Sequence, residues 1–200
     1  FVFGSAGWAL LPLVARRELG LGPAGYGVML ACIGLGAIAG AILLPRLRQR
    51  LNADRLMVAA SLTFAITMLA LAFVRHFWLL NLFEFFTGFA WIAVLSTLNL
   101  GAQRSAARWV KARALAVYLT VFFGSMTAGS AVWGQIASQF GTPASLVVAT
   151  LGMVLASMTV FRWKLEKDPD LNLDLSGQPL DGVEIELPNE RGPVLVSHEY

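Results

Sequence analysis

The chain has 200 residues, of which 57% are hydrophobic and 14% charged, with a formal net charge of +3. Soluble domains run at roughly 45 to 50% apolar and 25% charged, and here the excess lies in long blocks, which excludes an ordinary soluble domain. The positive balance does not indicate nucleic acid as a partner, because the arginines sit in short loops between apolar runs.

Six apolar segments follow one another at 1–14, 26–44, 56–74, 77–100, 114–136 and 143–161. The first, FVFGSAGWALLPLV, has no basic flank before it and is followed by Arg16 and Arg17. It reads as the end of a spanning helix that starts upstream; a signal peptide is the other reading of its length. The second holds nineteen residues without a charge. At ~1.5 Å each they make a helix of roughly 28 Å, one bilayer core. Gly36 and Gly40 form a GxxxG pair there, with Gly34, Ala37 and Ala41 nearby, so another helix can approach closely. Pro23 suits a helix start and Pro45 a helix end. Gly25, Tyr26 and Gly27 spell the GYG of a potassium filter, but five helices follow where a filter has one, so the tripeptide reads as a helix start with tyrosine as anchor. Cys32 stands alone in an apolar helix and is expected to serve packing.

The fourth segment carries Glu84, about six residues and roughly 9 Å beyond Trp78 at the expected interface. An intramembrane carboxylate is costly and is usually functional. At ~100° per residue, Asn81, Gly88 and Asn99 fall within roughly 60° of it, so a polar stripe faces protein or water. Either Glu84 lines a substrate or proton pathway, or it reaches the outer interface and pairs with Arg75, Arg16 or Arg17. The fifth segment brings Gly124, Ser125, Ala128, Gly129, Ser130 and Gly134, a surface for close packing or rocking. Trp8, Trp78 and Trp163 are placed as interfacial anchors, with Trp91 and Trp133 deeper.

The loops set the orientation. Arg46, Arg48, Arg50 and Arg55 follow the second segment, and Arg104, Arg108, Lys111 and Arg113 the fourth. With the cations after the sixth, eleven basic residues fall on one side against three on the other, and the side with eleven is expected to be cytoplasmic. Residues 165–193 are acidic and rich in proline and glycine, as a cytoplasmic linker would be, and 194–200 (VLVSHEY) reads as the first strand of a soluble domain, or else as more tail.

Enzyme signals are missing: there is no Walker loop, His76, His198 and Cys32 share no metal-ligand spacing, and Glu84 has no second carboxylate for acid–base work. No cofactor or metal is expected.

These residues resemble the C-terminal six-helix half of a major facilitator superfamily transporter, over about residues 1–164. GYGVMLACIGLGAIAGAILLPRLRQR is similar to the superfamily's motif at the cytoplasmic end of the second helix of each half: Gly40 fits its glycine and Arg48 and Arg50 its basic end, while Leu44 and Pro45 stand in its Asp-Arg places. Glu84, Thr87 and Gly88 match by spacing the RxxQG motif of the fourth helix, with glutamate for arginine. ARALAVYLTVFFGSMTAGSAVWG resembles the bacterial exporter branch that includes the enterobactin exporter, and GPVLVSHEY resembles the opening strand of a fused domain of the antibiotic-biosynthesis monooxygenase type. The resemblance implies an all-α, multi-pass protein of the bacterial inner membrane, and a partner N-terminal half of six further helices. It also implies proton-coupled export of a small organic molecule such as a drug, siderophore or metabolite, with Asn81, Glu84, Thr87 and Asn99 in the pathway. The alternative is a six-helix scaffold or receptor that transports nothing.

A reporter fused after Lys167 should therefore behave as cytoplasmic. Protease access to that reporter from outside intact cells would reverse the assigned orientation.

Overall fold

The computed structural model describes residues 2–104 and 110–162; Arg108, Trp163, the expected linker at 165–193 and the expected strand at 194–200 lie outside them. The described elements are α1 (Ser5–Leu13), a π-helical turn (Val14–Glu18), α2 (Pro23–Arg50), α3 (Ala53–Phe73), α4 (Phe77–Arg104), α5 (Lys111–Phe140) and α6 (Thr142–Arg162). Four stretches, Pro23–Arg50, Ala53–Phe73, Phe77–Gln103 and Lys111–Phe140, are long and apolar enough to cross a membrane, and Thr142–Met158 is a shorter apolar helix. The fold is thus all-helical and multi-pass over the described residues.

Most helices outrun the apolar runs that announce them. α2 begins on Pro23, whose missing N–H falls where no helical partner exists, and continues through Pro45 to Arg50 rather than stopping at the proline. Leucine, arginine and glutamine are good helix formers, so the helix persists after the charges begin. α1 does the reverse. Pro12 lies inside it, cannot donate a hydrogen bond, and crowds the carbonyl one turn back. The wider π turn follows at once, closed by the Leu19 N–H on the Val14 carbonyl at 3.1 Å, and Gly20, at φ 62°, ends it in the left-handed region open to glycine.

α2 lies along α4, α4 along α3, and α3 along α6, while α5 packs on α1 and α6. The α2–α4 seam is made by glycine. A Cβ on Gly36 would fall on the Phe85 carbonyl oxygen, and one on Gly88 on the Ile33 carbonyl oxygen, so each helix presses a glycine against the other's backbone. One turn further along α2, a Cβ on Gly40 would stand 2.5 Å from Ile92 Cγ2 and 3.2 Å from the Phe89 carbonyl. Gly129 of α5 meets Ser5 and the Val2 carbonyl in the same fashion. Trp133 Nε1 donates to that carbonyl at 2.7 Å, as does Ser5 Oγ at 2.7 Å, which ties the start of α1 to α5.

In lipid, helices gain little from hiding apolar surface, so close van der Waals contact of this kind is what joins them. Gly36→Ala and Gly88→Ala should each destabilise the full-length protein in detergent by about 1–3 kcal/mol, the usual cost of overpacking. Gly40→Ala should cost less, because Ile92 can move, and Gly34→Ala should be neutral, since nothing lies within 4 Å of it. Thermal midpoints followed by tryptophan fluorescence check the order; equal midpoints for Gly34→Ala and Gly88→Ala would contradict the seam.

Candidate functional site

Glu84 lies in the second turn of α4, four residues before Gly88, so the seam that fixes Gly88 against α2 also fixes the direction in which the carboxylate leaves the helix. It points inward, with only 2% of its surface exposed. Trp8 and Leu11 of α1, Ile33 of α2, Thr67 and Met68 of α3 and Thr87 of α4 surround it about a cavity of about 10 Å³. Among the described residues no lysine or arginine pairs with it. Arg75 instead bridges Glu18 at 3.1 Å and donates to the Ala72 carbonyl at 2.7 Å, while Arg16 and Arg17 are exposed. The interfacial ion pair therefore forms between the π turn and the α3–α4 loop, without Glu84. Both side chains are about a third exposed, so its contribution is on the order of 1 kcal/mol or less.

Asn81 and Thr87 flank the carboxylate on the same helix. The Asn81 amide donates to the Phe77 carbonyl at 2.9 Å, and its Oδ1 is buried with no donor beside it. The Thr87 hydroxyl donates to the Phe83 carbonyl at 3.2 Å, and its side chain lines the same cavity as Glu84. Asn99 does not join them. It lies fifteen residues on, about 22 Å at ~1.5 Å per residue, where it accepts a hydrogen bond from Gln103 at 3.4 Å.

Trp8 is the residue that pattern reading misplaced. It is not an interfacial anchor: it packs edge-on to Trp91 with ring centroids 5.3 Å apart, and its Nε1 is buried with no acceptor. Trp91 continues to Phe64 of α3 and Phe122 of α5 at 6.1 and 6.0 Å, so aromatic rings join α1, α3, α4 and α5. Trp78, by contrast, is 72% exposed. Nothing in an apolar run distinguishes an anchoring tryptophan from one turned inward; only the helix that meets it does.

Of the glycines singled out by sequence, Gly36, Gly40, Gly88 and Gly129 lie in helix contacts, whereas Gly34, Gly124 and Gly134 have nothing within 4 Å. A side chain at any of those three would meet no neighbouring helix at its first carbon. Thr120, Gly124, Thr127, Ala131 and Gln135 instead form an exposed face of α5, and Leu35, Ile38 and Ile42 an exposed face of α2. Arg46, Arg50, Arg55, Lys111 and Arg113 are exposed, Arg104 closes α4, and Arg48 is half-buried and donates to Ser96 Oγ of α4 at 2.6 Å. Ser96 carried no sequence signal. A second cavity, of about 160 Å³, lies between α3, α4 and α6 with Met57, Phe64, Trp91, Leu98 and Met153 in its walls. No group of three or more metal-ligating residues occurs among the described residues.

No curated protein and no solved structure matches the chain. The sequence model of the transmembrane secretion effector family matches all of it, residues 1–200. With its membrane-length apolar helices, the chain belongs to that family, within the major facilitator superfamily, and is a membrane transporter rather than an enzyme.

Proposed function

We propose that this chain is the C-terminal half of a proton-coupled exporter of small organic molecules in the bacterial inner membrane, working by alternating access with its C-terminus in the cytoplasm. The observation that carries the reading is Glu84: a carboxylate buried in a membrane-length helix with no cation of the described residues beside it. Such a charge has to be neutralised, and protonation does so without placing another heavy atom in a cavity of about 10 Å³. Substrate is assigned elsewhere. The exposed face of α5 presents Thr120, Thr127 and Gln135, and polar groups on a membrane helix turn toward protein or a water-lined path rather than lipid. That face is where a six-helix N-terminal half would close the path, and the outward leucines and methionine of α6, Leu151, Leu155 and Met158, suit lipid.

Glu84→Gln keeps the shape and removes the charge. In everted vesicles holding the full-length protein, with ethidium and a catecholate siderophore as probe substrates, the wild type should accumulate at least one of them when a proton gradient is imposed. The variant should still bind that compound but bring it only to equal concentration on both sides. Accumulation by Glu84→Gln at the wild-type level would remove Glu84 from the coupling path. Failure of the wild type to move any small organic compound would favour the scaffold reading.

A further inference from the structure

We infer that a single water molecule is bound beside Glu84, held between the Trp8 indole N–H and the Glu84 carboxyl, and that it links α1 to α4. Trp8 lines the cavity, and its Nε1 is buried without a protein acceptor. A buried donor left unpaired costs about 1–3 kcal/mol, and tryptophan N–H groups in protein interiors nearly always find a partner. The cavity's volume of about 10 Å³ is close to the ~10–15 Å³ that one water needs.

The lining is mostly apolar, and its four polar side chains, Trp8, Thr67, Glu84 and Thr87, match the partners that one water needs. A buried water makes about three hydrogen bonds. Here it accepts one from Trp8 and donates one to Glu84, and the third goes to a threonine. Thr67 spends its hydroxyl proton on the Phe64 carbonyl at 2.9 Å and Thr87 on the Phe83 carbonyl at 3.2 Å. Each keeps lone pairs that accept, and a water proton is the donor they lack. The remaining walls, among them Leu11, Ile33 and Met68, are apolar, so one polar occupant is favoured over a chain of several. A water bound in this way needs only these hydrogen-bonding groups, whether or not a proton crosses at Glu84.

Hydroxyl-radical footprinting by X-ray radiolysis labels side chains next to ordered water even when they are buried. Met68 and Met29 make a matched pair: they are 2% and 0% exposed, and only Met68 lines the cavity. In the full-length protein in lipid nanodiscs, Met68 should oxidise several-fold faster than Met29. Trp8→Phe removes the N–H and keeps a ring; Thr67→Val removes a hydroxyl and keeps the shape. Each should bring Met68 down toward Met29, and Thr67→Val decides the matter if Trp8→Phe does not fold. Equal oxidation of Met68 and Met29 in the wild type, or a fast Met68 unchanged in both variants, would overturn the assignment.

Discussion

The backbone-to-backbone approach of α2 and α4 is the constraint on which the rest depends. Gly36 meets the carbonyl of Phe85 and Gly88 meets that of Ile33, so neither helix can turn about its axis without driving a side chain into the other. Glu84 precedes Gly88 by four residues, about 40° around the helix at ~100° per residue. Its carboxylate is thereby turned inward between α1, α2 and α3. A charge that could swing outward would find the interface and its arginines. This one is held where it has to be neutralised in place.

The other wall of the site comes from α1, and α1 is secured at both ends by different means. At its start, the Val2 carbonyl takes hydrogen bonds from Trp133 and Ser5 while Gly129 leaves room for them. At its far end, Pro12 gives way to the π turn, and Glu18 at the end of that turn reaches Arg75. Between them Trp8 leans on Trp91, whose neighbours on α3 and α5 complete an aromatic layer. The partly exposed ion pair contributes little stability, yet it determines which partner Arg75 has. In doing so it leaves Glu84 without the cation that position along the chain offered.

Much of this was legible in the sequence, for a physical reason: apolar runs, intramembrane charges and glycine spacing are local signals that lipid makes severe. Glu84 stood out because it is a carboxylate in such a run, and Gly36 and Gly40 because they are four apart. What stayed hidden depends on the neighbour. Gly34 and Gly36 look alike in a run of glycine and alanine, yet one meets open space and the other a carbonyl. Asn99 shares a face with Glu84 on a helical wheel, but a wheel discards the distance along the axis. The ends of α2 and α5 ran past the apolar boundaries because a helix stops at its caps, not where lipid stops. Trp8 was taken for an anchor because the chain's short first helix shows only its composition, and the ring that receives it lies far along the chain on α4.

The measurement that bears most directly on the buried carboxyl as a proton-exchanging group needs no knowledge of the substrate. Dicyclohexylcarbodiimide, an apolar reagent, attacks protonated carboxyls within the membrane, and the full-length protein in native vesicles can be treated with it and mapped by mass spectrometry. Glu84 should be modified ahead of the exposed Glu18, and a water-soluble carbodiimide should reverse that preference. Glu84 left unmodified by the apolar reagent, while the protein stays folded, would mean that its carboxyl does not take up a proton in the membrane.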